Sequence, residues 1–121
     1  MSIDEVRAWF VAHGHGISAD ERLLYERVAG QLLPGEALEL ESAMSCNNLP
    51  GHVVLTDQRI IHIGRHMLGM KVVTIARSDV TKTKRGGLLI PGIVVEHRGG
   101  KVKFAGGLKP QAAALLAALG G

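Results

Sequence analysis

Six histidines and one cysteine are the residues of this chain best suited to metal binding or nucleophilic catalysis. Metal sites need three or four converging ligands, and Cys46 completes no zinc spacing such as Cys-x-x-Cys. His13 and His15 stand at a predicted helix end, where a solvated cap is the ordinary role. No cation adjoins Cys46 to activate its thiol. The sequence therefore predicts no catalytic residue, no metal, no cofactor and no small-molecule substrate, and hence no enzyme.

The segment KTKRGGLLIPG, residues 82–92, combines cations with apolar side chains. A phosphate-binding loop needs a following helix whose amides point at the ligand, and strand-like sequence follows here. Two interpretations remain: leucines packed inward at one end of a barrel, which we favour, or a tip that contacts an anionic membrane. The candidate contact residues for the second are Lys82, Lys84, Arg85, Leu88, Leu89 and Ile90.

Charge is distributed unequally along the chain. Residues 1–48 carry three Arg against eight acidic residues, whereas residues 49–121 carry eleven Lys and Arg against three. The simpler interpretation is that the two parts neutralise each other on folding; the alternative is a basic surface for an anionic partner, gated by the acidic helices. Nucleic acid is disfavoured as that partner, because the basic part offers only Phe104 as a stacking ring.

The first 33 residues predict a helical hairpin. Ser2 with Glu5, and Ser18 with Glu21, match the capping box in which a serine and a glutamate satisfy free amides of the first helical turn. Apolar residues then recur at helical spacing in both segments. Pro34 and the glycine after it end the second helix.

From Glu36 onward the apolar period changes from 3.6 to 2, which predicts short strands separated by turns. The last segment, LKPQAAALLAALGG, predicts a closing helix. Its leucines, Leu115, Leu116 and Leu119, should cover the open end of a barrel. The interior positions predicted beneath them include Val54, Ile61, Val73 and Val94.

The order of these elements resembles that of the bacterial PH-like (pleckstrin-homology-like) domains, of the YokE-like and GRAM-like type, over residues 32–119. The segments that carry the resemblance are LLPGE (32–36), VVLTDQRIIHI (53–63), IARSDVTKTK (75–84), GIVVEHRGGKVKF (92–104) and the terminal helix. The resemblance implies a mainly β fold, α+β by content. Its core is a seven-stranded antiparallel split barrel capped by a C-terminal helix, with residues 1–33 as a preceding hairpin and 34–121 as the PH-like domain.

Lipid-binding members of the wider superfamily centre their basic pocket on the loop between the first two strands. Here that loop is SCNNLPGH, residues 45–52, with no Lys or Arg, so the head-group site is not carried over. The sequence favours an interaction domain that binds a protein partner or itself, with anionic membrane binding as the alternative. The candidate self-association residues are Ala113, Ala114, Ala117 and Ala118. Acidic residues where a signal peptide would carry cations, and the lack of an 18-residue apolar run, predict a cytoplasmic location.

Overall fold

The computed structural model describes residues 1–66, 69–86, 90–106 and 109–120. The chain divides into two compact units, Met1–Leu38 and Glu39–Gly121, which we call the helical unit and the barrel unit. The helical unit holds α1 (Ile3–Ala12) and α2 (Ala19–Gln31). The division into domains at residues 33 and 34 stays a prediction.

α1 begins at the predicted capping box, which is confirmed. Ser2 Oγ accepts a hydrogen bond from the Glu5 N–H at 3.2 Å, and Glu5 Oε1 accepts one from the Ser2 N–H at 3.0 Å. The bond from the Ser2 amide, followed by an interaction of the carboxylate with the Ser2 hydroxyl, favours the ionised form and lowers the pKa of Glu5.

α2 begins with a variant of the same device. Ser18 Oγ accepts from the Glu21 N–H at 3.3 Å and donates to Glu21 Oε1 at 2.8 Å, while the other carboxylate oxygen accepts from the Gly16 N–H. Glu21 therefore reaches past the cap to the link between the helices. The Tyr25 hydroxyl donates to the Gly16 carbonyl, and the Tyr25 ring lies 4.8 Å from the Phe10 ring, which ties the two helices together.

The strands form two four-stranded antiparallel sheets within the described part of the chain. The first has the order β1-β3-β4-β5 and the second the order β2-β8-β7-β6. Seven strands have five to eight residues; β2, with two, is an addition to the predicted seven. The bounds are β1 Leu38–Ser42, β2 Ser45–Cys46, β3 Gly51–Thr56, β4 Arg59–His66, β5 Gly69–Ala76, β6 Val80–Gly86, β7 Gly92–His97 and β8 Gly100–Ala105, with a 3-10 turn at Arg77–Asp79.

Alternate side chains of both sheets meet in one hydrophobic core. Leu55 and Ile60 enter it from the first sheet, and Ile93, Val95 and Phe104 from the second; all are at most 1 % exposed. Val94, predicted to be interior, is half-buried instead, and both of its chain neighbours are buried. The prediction for Val94 was wrong by one residue, and in a strand one residue exchanges the two faces.

α3 (Lys109–Ala118) closes the barrel unit. Leu115 is 1 % exposed in the core, and Leu116 and Leu119 pack against it half-buried, as predicted for a capping helix. Arg77 fixes the end of the helix, because its guanidinium donates to the Ala118 carbonyl at 2.8 Å and also bonds Glu39 at 2.8 Å.

Candidate anion-binding face

The second sheet has one face in the core and one face toward solvent. On β7, Ile93 and Val95 are buried while Val94 and Glu96 are half-buried. Residues directly opposite each other in an antiparallel pair share a face. The register therefore tells us which residues of the two neighbouring strands join Val94 and Glu96 on the outside.

Four lysines lie on that outer face. In β6, Lys82 is opposite Glu96 and Lys84 is opposite Val94; in β8, Lys101 is opposite Glu96 and Lys103 is opposite Val94. All four lysines are exposed. Two cross-strand rows result, Lys82–Glu96–Lys101 and Lys84–Val94–Lys103. We call the four lysines, whose Cα atoms lie roughly 7 Å apart along a strand and roughly 10 Å apart across β7, the lysine face.

The lysine face carries excess positive charge. The described residues place no carboxylate within 4.0 Å of any of the four ammonium groups. Glu96 is the one acidic residue in the two rows, and it stands between two lysines. Four like charges opposed by one carboxylate attract anions from solution and repel cations.

Protection of a sheet edge explains only part of this arrangement. Lysines on an edge strand discourage pairing with another chain, and β6 is an edge strand, so Lys82 and Lys84 suit that purpose. On the far side of β8, β2 pairs with Phe104 and Ala105 and the Asn47 hairpin bonds the backbone of Lys103, so Lys103 lies where the edge is already covered. Lys103 therefore needs another explanation, and binding of an anion is one that includes all four lysines.

The membrane-contact residues predicted from the sequence do not form one group. Lys82 and Lys84 share the outer face, whereas Arg85 is opposite the buried Ile93 and so belongs to the inward-facing set, although it is exposed at the strand end. Leu88 and Leu89 lie outside the described residues. Ile90, just before β7, is 60 % exposed.

The predicted self-association residues lie on α3 and are not equivalent. Ala114, Ala117 and Ala118 are exposed, whereas Ala113 is half-buried. The difference arises because Ala112 and Leu115 face the core, and Ala113 stands beside them on the helix. Three of the four alanines are thus available on the surface.

The loop that precedes β3 is folded into a tight hairpin. Cys46 and Leu49 exchange both backbone hydrogen bonds, at 2.9 and 3.0 Å, around Asn47 and Asn48, whose φ angles are 48° and 72°. Two consecutive positive φ angles are typical of a type I′ turn, and asparagine is among the residues that tolerate them. The hairpin belongs to the segment 45–52, which contains no Lys or Arg.

Asn47 also fastens the hairpin to the second sheet. Its backbone N–H donates to the Lys103 carbonyl at 2.9 Å, and its side-chain Oδ1 accepts from the Lys103 N–H at 3.0 Å. β2 continues this pairing, with Cys46 opposite Phe104. The hairpin is thus bonded to β8 at the backbone of Lys103, a residue of the lysine face.

His62 and Cys46 are two of the buried titratable side chains described in the barrel unit. His62 Nε2 donates to the Met44 carbonyl at 2.9 Å, and among the described residues Nδ1 has no hydrogen-bond partner. Burial lowers the pKa of His62, and burial raises the pKa of Cys46, so both are held in their neutral forms. The described residues contain no cluster of three potential metal ligands. Because its thiol is kept protonated by burial, Cys46 is not an activated nucleophile.

Lys101 and Lys103 are the site residues that the sequence-based prediction left out. Their signal was present: in KVKFA the lysines alternate with Val102 and Phe104, which fixes them on one side of the strand. Only the register across β7 shows that they share a face with Lys82 and Lys84. The sequence-based prediction placed Val94 in the interior, and that placement is incompatible with exposed lysines opposite it.

No protein-family model matches the chain, and neither does any curated protein. Among solved structures the chain is similar to the Vps36 N-terminal PH domain. The TM-score is 0.58 with 17 % sequence identity, over 73 % of this chain and 79 % of that chain. Together with the two antiparallel sheets and the C-terminal helix, this likeness confirms the predicted PH-like split-barrel fold. Within the described ranges no helix combines the length and apolar content required to cross a bilayer.

Proposed function

We propose that this chain is a non-catalytic PH-like interaction domain whose lysine face receives an acidic partner. The observation that carries the proposal is the register that brings Lys82, Lys84, Lys101 and Lys103 to one solvent-exposed surface. A regular sheet holds the four backbone positions rigidly, so the cations are already gathered before any partner binds. Gathering them in advance reduces the ordering cost of association.

Retention on immobilised heparin, used as a generic polyanion, tests the role of this face. The variant changes the four lysines to Gln, and the control changes Arg22, Arg27, Arg65 and Lys71 to Gln, which removes the same charge from other parts of the chain. We expect the lysine-face variant to elute at a clearly lower salt concentration, and the control to elute close to the unmodified protein. Equal losses in both variants would mean that net charge alone governs retention, and the proposal would fail.

Self-association is a second candidate function, favoured by the exposure of Ala114, Ala117 and Ala118 on α3. Small side chains let two helices approach closely, so this surface suits a second copy of the chain. Light scattering of the unmodified protein and of an Ala117→Glu variant is the test. A dimer that dissociates in the variant supports the candidate, whereas a monomer at all concentrations rejects it.

We further propose a domain type and a cellular location. The domain is of the YokE-like, GRAM-like type, supported by the LTDQR motif, which forms the turn between β3 and β4. There Thr56 Oγ1 accepts hydrogen bonds from the backbone N–H groups of Gln58 and Arg59, at 3.1 and 2.9 Å. We also place the protein in the cytoplasm. Cell fractionation that finds it in an extracytoplasmic compartment would reject that location.

A further inference from the structure

We infer that the acidic partner of the lysine face is the surface of an anionic lipid bilayer, recognised by its charge density and not by a particular head group. This inference rests on the proposed function and names the class of partner. It concerns the outer face of β6, β7 and β8, which is separate from the loop at residues 45–52.

The residue types of the face favour a bilayer over a protein. Binding energy at protein interfaces is concentrated in Trp, Tyr and Arg, and lysine is depleted there. Every cation of the two rows is lysine, and the residues between them are Val94 and Glu96, so the face offers no aromatic or arginine anchor. An anionic bilayer needs no anchor, because each lysine near its surface contributes separately.

The same residue types disfavour single-stranded nucleic acid. Single-stranded nucleic acid is bound by cations interleaved with aromatic rings on which bases stack. The two rows contain no aromatic side chain, and Phe104, the aromatic residue of β8, is buried on the opposite side of its strand. The face therefore lacks the platform that such a partner requires.

The closed hairpin is the reason for expecting charge recognition without head-group selectivity. Selective recognition of one head group needs a concave pocket with converging donors. The backbone N–H groups of Cys46, Asn47 and Leu49 are engaged in the hairpin and with Lys103, and the lysines of the face stand on regular strands at wide spacing. Such an array responds to the density of anionic charge near it. It does not distinguish one lipid from another by the number of phosphates on the head group.

Ile90 adds an exposed apolar side chain shortly before β7, the central strand of this surface. It is 60 % exposed and lies next to β7, near the strand end that holds Lys84 and Arg85. Insertion of an isoleucine into the interface of a bilayer is favourable, whereas a soluble polyanion has no apolar region in which to bury it. A substitution at Ile90 should therefore affect binding to a bilayer and not binding to a soluble polyanion.

The experiment is co-sedimentation of the full chain with three kinds of vesicle: phosphatidylcholine alone, phosphatidylcholine with phosphatidylserine, and phosphatidylcholine with a phosphoinositide at matched total charge. We expect no binding to the first and equal binding to the other two, weakening as salt is added. Lys84→Gln and Lys103→Gln should each weaken binding about fivefold, and the four-lysine variant should abolish it. The control variant with four other cations replaced should still bind. The two single variants keep the test valid if the fourfold variant does not fold.

Ile90→Ser should weaken vesicle binding and leave heparin retention unchanged. A preference for the phosphoinositide vesicles at matched charge would overturn the inference, as would tighter binding to an acidic peptide or an oligonucleotide at the same salt concentration. If vesicles do not bind while heparin retention still depends on the four lysines, the bilayer is wrong and the proposed function stands. If neither vesicles nor heparin depend on these lysines, both proposals fall.

Discussion

Val94 and Val95 are neighbours on β7, yet they belong to different parts of the molecule. Val95 is 0 % exposed in the core with Phe104 and Leu115. Val94 is half-buried on the outside, between Lys84 and Lys103. In β6, β7 and β8, one set of alternate residues thus faces the hydrophobic interior, and the other set forms the outer face with the four lysines.

The difference shows how this fold separates stability from binding. Interior side chains contribute by leaving water and by filling space, and both contributions are lost when they are shortened. Exposed lysines contribute little to folding, because water already solvates them. Substitutions inside should therefore lower stability and spare anion binding by the folded fraction, and substitutions outside should do the reverse.

Leu115→Ala should have the largest effect on stability. Leu115 is 1 % exposed and joins α3 to the core, so its truncation leaves a cavity and should lower the free energy of unfolding by about 2–5 kcal/mol. Denaturant unfolding measures this value. Leu116→Ala, at a half-buried position of the same helix, is the control and should cost less. Equal and small losses in both would mean that α3 does not cap the core.

The two valines of β7 give the most direct test of the comparison. Val95→Ala removes two buried carbon groups and should cost about 2 kcal/mol, whereas Val94→Ala should change stability by no more than about 0.5 kcal/mol. The same denaturant experiment measures both. If Val94→Ala cost more stability than Val95→Ala, Val94 would face the core. The lysines opposite Val94 would then not lie on the outer face of the sheet.

Asn47→Gly should lower stability by about 1 kcal/mol, the usual worth of one hydrogen bond. Glycine keeps the positive φ of 48° without strain, so the change isolates the loss of the bond from Lys103 N–H to Asn47 Oδ1. Asn48→Gly is the control, because it sits in the same turn and the bond to Lys103 remains. Amide hydrogen exchange at Lys103 should accelerate in the first variant alone; equal exchange in the two would show that the side chain does not fasten the hairpin.

Much of the fold could be predicted because it depends on local rules. Serine and glutamate three residues apart gave the first helix start correctly, and the change of period at Glu36 gave the strands. The second helix start differed in detail, since Glu21 reaches Gly16, a residue outside the four-residue motif. Contacts across a turn depend on the path of the chain, which a local pattern does not specify.

The candidate site was predictable only in part, and the reason is strand register. KTKRGG and KVKFA each show their lysines plainly, but whether those lysines share a surface depends on how both strands align with β7. The sequence IVVEH contains two adjacent valines, and hydrophobicity alone does not say which one faces inward. Glu96 resolves the ambiguity in retrospect, because a carboxylate on the outer side places Val94 there too.

The smallest predicted effect on stability comes from protonation of His62. Burial holds the folded-state pKa below 6.5, the ordinary histidine value, so the unfolded chain binds a proton more readily than the folded one. The stability contributed by neutral His62 is therefore present above its unfolded pKa of 6.5 and is lost as the pH falls through that value toward the folded-state pKa, by at most about 0.7 kcal/mol between about pH 7 and about pH 6. His52, on the other side of the sheet and 2.7 Å from Glu41, lowers the pKa of His62 further when it is charged.

Denaturant unfolding at several pH values measures this decline, and His62→Gln should flatten it, because glutamine can still donate to the Met44 carbonyl and does not titrate. His13→Gln, a change at an exposed histidine, is the control and should leave the decline in place. A decline that persists unchanged in His62→Gln would assign it to other groups. Because His62 lies inside and the lysines outside, heparin retention by the folded His62→Gln protein should equal that of the unmodified protein, and a loss of retention would contradict the separation of the two faces.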